Sequence, residues 1–164
     1  MLKHSTKGSQ KWFLHVLWIF LLDKLSKFWV LHHIHPGEPH ALFPNINLIL
    51  THNFGIAFSL FNRQSKESQL ALLFFILLLC IILTVWLIKT PWRDQWQGWA
   101  LTLILGGALG NVSDRFQYGY VIDFIDFYIG NWHWYTFNLA DSFITLGALM
   151  LVKTILFSAG EERR

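Results

Sequence analysis

The run "QLALLFFILLLCIILTVWLI", residues 69–88, holds twenty positions without one charged side chain. A helix rises about 1.5 Å per residue, so about 20 apolar residues cross the roughly 30 Å hydrocarbon layer of a bilayer. Composition points the same way. The 164-residue chain is 54% hydrophobic and 14% charged, where soluble domains carry about 25% charged residues. One integral membrane domain is expected over 1–164. The formal charge of +3 gives no nucleic-acid footprint, because Lys and Arg are scattered near the ends of apolar runs, where anionic lipid is the natural partner. Cys80 is the single cysteine, so no disulfide forms within the chain.

The expected fold class is membrane all-α: four transmembrane helices with a small extramembrane β element in the first outer loop. The helices are expected at about 11–31, 69–88, 97–113 and 138–157. The first competes with a signal-peptide reading, but no small-x-small cleavage site follows "KWFLHVLWIFLL" and apolar periodicity resumes through Phe28, Trp29 and Leu31. Lys153 lies close enough to the end of the fourth helix to snorkel. In the loop 32–68, "INLILT" alternates as a strand does, and Asn53 to Gly55 reads as a glycine-hinged turn. Lys3, Lys7, Lys11, Lys89, Arg93, Arg163 and Arg164 fall on one side of this topology, against Arg63, Lys66 and Arg115 on the other. Basic residues favour the cytoplasm, so both termini are expected there.

Ionisable residues inside apolar segments are costly and mark function. Asp23 and Lys27, Asn111, Asp114 and Arg115, Asp123, and Asn138 with Asp141 all gather at one depth near the outer face. Ordinary roles exist for each. Asp23 and Lys27 form an i,i+4 pair, Asp114 and Arg115 could pin a helix end, Asn138 could cap the fourth helix, and Asp141 would gain from its dipole. Asp123 argues for more. It and Asp141 flank the short, hairpin-like aromatic connection "FIDFYIGNWHWYTFN", and a chain turning back there brings two carboxylates together. Such a pair shares a proton; the ionised member activates water and the neutral one donates to the attacked carbonyl. That is aspartic protease chemistry, which calls for no metal and no cofactor.

Rival readings are weaker. His32, His33, His35 and His40 lack zinc-ligand spacing. His133 with Asp123 and Asp126 is a possible metal trio. Ser142 has no evident base, and "GGALG" at 106–110 reads as close helix packing rather than a phosphate loop. A proton relay through Asp123 and Asp141 would want acids spread through the membrane, and these cluster at one face.

Four blocks in order carry a family resemblance: "DKLSK" at 23–27, "NFGIAFS" at 53–59, "GGALGNVSDRFQYGYVIDF" at 106–124 and "FNLADS" at 137–142. At these the chain resembles lipoprotein signal peptidase, or signal peptidase II. The resemblance implies an aspartyl endopeptidase of the bacterial cytoplasmic (inner) membrane, active near its outer face. Its substrate would be a diacylglyceryl-modified prolipoprotein, cut just before the lipidated cysteine. It implies catalytic Asp123 and Asp141, supported by Asn53, Gly55, Asn111, Asp114, Arg115, Asn138 and Ala140, with Asp23 and Lys27 nearby. Membrane lipid is the expected surrounding, nucleic acid is not an expected partner, and a monomer is expected. Ile56 stands where the family usually has Ala, and Lys24 where Gln is common.

Overall fold

The computed structural model describes residues 10–55 and 66–161. Ile56 with the rest of the "IAFS" block, Arg63, and the terminal Lys3, Lys7, Arg163 and Arg164 of the charge count lie outside the described residues.

Helix α1 (Gln10–His33) buries Trp12, Val16, Ile19, Asp23, Lys27 and Val30. These recur every three or four residues, so they form one face. The opposite face exposes Leu14, Leu17, Trp18, Leu25 and Phe28. Burying an acid and a lysine while exposing leucine and tryptophan inverts the soluble pattern and suits apolar surroundings. Helix α2 (Lys66–Lys89) is apolar all round, with Phe74 and Ile81 outward. Among the described residues Glu67–Lys89, at mean hydropathy 3.2, is the one helix long and apolar enough by composition alone to cross a membrane. Helices α1 and α3 interrupt their apolar runs with the acids and bases they turn inward.

Helix α3 (Gln95–Tyr118) is central and packs against α1, α2 and α4 (Leu139–Glu161). It starts on Asp94, whose side chain accepts from the Gln97 N–H at 3.3 Å. It ends at Gly119, whose φ of 79° suits a left-handed C-cap. Small residues let the helices close on the site: a Cβ at Gly107 would meet the Ala140 carbonyl oxygen at 2.5 Å, and one at Gly110 would collide with the Asp23 carboxylate. Helix α3 was expected to stop near 113 and runs to Tyr118. The polar stretch Ser113–Arg115 stays helical because Asp114 is fully buried against lysines of α1.

The β element is larger than expected. Strands β1 (His40–Phe43) and β2 (Ile46–Asn53) lie in the connection between α1 and α2, but β2 pairs antiparallel with β3 (Val121–Ile129), which pairs with β4 (Trp132–His133). The sheet, in order β1-β2-β3-β4, therefore joins the α1–α2 and α3–α4 connections. "VIDFIDFYI", read from sequence as a surface turn-back, is an alternating β-branched and aromatic segment that β2 recruits. The register sets Thr51 opposite Asp123 and Asn53 opposite Val121. Val30 and Ile34 form one apolar cluster with Leu50, Ile122 and Phe124 of the sheet, and Trp12, Val16, Leu87, Leu101 and Leu105 form another among the helices. Along α1, Asp23 and Lys27 fall between the two.

Candidate active site

The fourth helix begins with a reciprocal cap. The Asp141 N–H donates to Asn138 Oδ1 at 2.9 Å, and the Asn138 N–H donates to Asp141 Oδ2 at 3.3 Å. The capping role available to Asp141 is thus filled, by one of its oxygens. The other, Oδ1, accepts from Asn111 Nδ2 at 2.8 Å. Asn138 is wholly buried, and its amide reaches the opposite way as well, donating to Asp123 Oδ1 at 2.7 Å and Asn111 Oδ1 at 3.1 Å. One asparagine therefore holds a backbone bond to one acid and a side-chain bond to the other.

Asp123 comes from β3 and is 2% exposed. Its Oδ2 accepts from Asn53 Nδ2 at 2.8 Å. Asn53 Oδ1 in turn accepts the Gly55 N–H at 2.8 Å, closing a turn in which Gly55 has φ 88°. The register explains this reach: Thr51, across the ladder from Asp123, also donates to its carbonyl at 3.2 Å. Burial pushes the Asp123 carboxyl up to about 6, and the Asp141 charge pushes the same way. Donors Asn53 and Asn138, and the Lys27 charge, only partly offset this.

Beneath the two acids lies a buried ionic layer. Lys27 Nζ sits 2.8 Å from Asp23 Oδ2, 2.7 Å from Asp114 Oδ2 and 3.0 Å from Asn111 Oδ1. Asp23 Oδ1 accepts the Ala140 N–H at 2.9 Å, and Asp114 Oδ2 accepts the Ile122 N–H at 3.3 Å. These two contacts tie α1 to the first turn of α4 and α3 to the start of β3. The carboxylates and the lysine are fully or almost fully buried, so removing one partner strands the others' charge. The i,i+4 pair expected between Asp23 and Lys27 exists, but as part of this network. Lys24, which the sequence gave no role, pairs with Asp114 Oδ1 at 2.8 Å; its spacing of three from Lys27 was the available signal.

Arg115 donates from Nη1 to its own helix at Asn111 O, 3.3 Å away, and its Nη2 is 3.7 Å from where a Gly55 Cβ would stand. Asp141, Asp123 and Asp114 all act on its charge. It thus lies beside the Asn53–Gly55 turn and near three acids, and among the described residues the ion pairs of Asp114 go to Lys24 and Lys27 rather than to Arg115. Asp126 is separate: odd and even positions of β3 face opposite ways, and Asp126 bonds Asn47 Nδ2 at 3.1 Å and His133 Nδ1 at 2.8 Å. The suggested trio of His133, Asp123 and Asp126 is not assembled, and no group of three or more candidate metal ligands occurs among the described residues. Chemically, the two carboxylates are joined through one asparagine network, Asn138 bonding both and Asn111 bonding Asn138 and Asp141. A groove of about 610 Å³ runs from Asp141 past Phe137, Thr145 and Leu149, and a cavity of about 300 Å³ lies between Phe54, Leu72 and Arg115.

Comparison with known proteins agrees with the blocks noted in the sequence. Lipoprotein signal peptidase of Hydrogenovibrio crunogenus is 41% identical over 134 residues, covering 82% of this chain and 78% of that one. The namesake of Coxiella burnetii is 35% identical over 162 residues and 99% of each chain. Two solved structures described as a bacterial membrane enzyme, determined by the in meso method at 2.3 Å and 1.9 Å, share the fold. Their TM-scores are 0.80 and 0.81, each at 24% identity, covering 93% and 94% of this chain and 91% and 98% of theirs. The family model described as "Signal peptidase (SPase) II" matches residues 15–157, which hold every residue named in the paired-acid site and its ionic layer, and the chain belongs to that family.

Proposed function

We propose that the protein is a membrane aspartyl endopeptidase that removes the signal peptide of diacylglyceryl-modified bacterial prolipoproteins, cutting before the lipidated cysteine. Membership of a peptidase family whose similar members are named lipoprotein signal peptidase supports prolipoprotein processing. The observation that carries the mechanism is Asn138, which bonds Asp123 and Asp141 at once. Asp123, whose affinity for a proton burial raises, holds the shared proton, and Asp141 is the base. A water attacks the scissile carbonyl carbon, giving one proton to Asp141 while Asp123 protonates the carbonyl oxygen. The resulting gem-diol collapses: its C–N bond breaks, the leaving amine takes the proton from Asp141, and a hydroxyl proton returns to Asp123. Asn53, Asn111 and Asn138 orient the acids, Arg115 and Gly55 shape the neighbouring turn, and Asp23, Lys27, Asp114 and Ala140 lock the helices beneath.

All four helices span the bacterial inner membrane in this reading, with both termini cytoplasmic, the site near the outer face, and the protein acting as a monomer among lipids. Outward apolar residues on α1, α2 and α4 support it. A lipid-anchored substrate presents its scissile bond at headgroup level, which is where a sheet closing the bundle would hold Asp123. The test is cleavage of a diacylglyceryl-modified precursor by purified protein in detergent. Asp123→Asn and Asp141→Asn should each lose at least about 100-fold in rate while still inserting in membranes, and Asp126→Asn should retain substantial activity. An essential Asp126 beside a dispensable Asp123 would refute the assignment.

A further inference from the structure

Asp141 is both a carboxylate of the paired-acid site and part of the wall of the 610 Å³ groove. Above it the groove is roofed by Trp134, Tyr135 and Phe137, which lead from β4 into α4. Downward it follows Ser142, Thr145 and Leu149. That row continues on α4 as Val152 and Leu156, which are 51% and 67% exposed. These positions recur every three or four residues, so they form one outward stripe. From Asp141 to Leu156 the stripe covers about 22 Å at 1.5 Å per residue, most of the hydrocarbon depth. Its upper residues are small, and small side chains let a second helix approach closely within a membrane. Below Asp141 no side chain of the stripe is charged.

We propose that this face of α4 is the docking site for the apolar signal segment of the substrate, bound as a helix beside α4. The inference rests on the peptidase reading above. Three observations choose a helix over an acyl chain. The stripe covers most of the length of a membrane helix, its residues have the spacing that helix packing uses, and its top ends at Asp141, so a helix seated on it delivers its final peptide bonds to the acids. The cavity beside Arg115 and Leu72 is half the volume, about 300 Å³, and Asp141 lines only the larger groove.

A photoreactive benzoylphenylalanine at position 149 tests this, in full-length protein mixed with a diacylglyceryl-modified precursor and mapped by mass spectrometry. Crosslinks should fall in the signal segment, and the same group at Leu78, an exposed position of α2, should give few. Kinetics provide the second arm. Leu149→Trp should raise KM about tenfold with kcat little changed, while Leu78→Trp should behave as wild type. Crosslinks confined to the acyl chains, or an unchanged KM for Leu149→Trp in an enzyme that still cleaves, would overturn the docking site and leave the peptidase reading standing. A wild-type protein that cleaves no precursor would overturn both.

Discussion

Asn138 is the residue on which the two acids depend. Replacing it by Ala removes a donor to Asp123, a bond to Asn111 and the cap of α4. The loss of a cap and of buried partners should cost about 1–3 kcal/mol in a denaturant titration, with precursor cleavage falling at least about 100-fold. An Asn138→Ala protein as active as wild type would remove the bridge from the account. Asp123 makes a second prediction, on pH. Its folded-state affinity for protons is raised, from 3.8 to about 6, so the folded chain binds that proton more tightly than the unfolded one. The resulting stabilisation is complete below pH 3.8 and disappears as pH rises through about 6. Stability measured across that window should fall by about 1–3 kcal/mol more in wild type than in Asp123→Asn. Parallel curves would show that Asp123 titrates as a free carboxylate. Asp123 and Asp141 were legible in the sequence as acids among apolar residues. The double role of Asn138 was not, because an asparagine before a helix reads as a cap whether or not its amide has a second partner.

Among the elements, α1 and α3 hold the ionic layer and their contact is set by small residues. Gly110→Val places a branched side chain on the Asp23 carboxylate and would push it from the Ala140 N–H. Overpacking of this kind costs about 1–3 kcal/mol, and activity should fall with it, because Ala140 adjoins Asp141. A fully active and equally stable Gly110→Val would mean that α1 is free to shift. Lys27→Met is harsher, since Asp23 and Asp114 would face each other without their shared cation. Breaking such a buried set costs about 3–5 kcal/mol, measurable as loss of folded protein in detergent. The helices announced themselves through apolar run length and periodicity, α2 most plainly because no charge interrupts it. Strand β3 did not. "VIDFIDFYI" alternates only between apolar and acidic or aromatic residues, and its partner β2 lies far away in sequence, so local pattern could not tell a strand from a surface connection. The extension of α3 to Tyr118 escaped for a related reason: Asp114 looks like a helix end until its lysine partners on α1 are known.

For the whole molecule, buried acids and a buried lysine beneath exposed leucines fit a chain whose solvent is lipid on the sides and water at the ends. A cysteine at Asn131, in the turn between β3 and β4, should therefore react with an impermeant maleimide applied outside intact cells, in a Cys80→Ala background. One at Arg93, between α2 and α3, should react only after lysis. The reverse pattern would invert the topology. Everything chemical, however, turns on Asp123 and Asp141 sensing each other. Infrared titration of protonated carboxyl absorption in wild type and the two Asn variants measures this directly. The account predicts a band lost as pH rises through about 6, absent in Asp123→Asn, and displaced to lower pH in Asp141→Asn, where a neighbouring negative charge has been removed. A band whose midpoint is the same with and without Asp141 would contradict it.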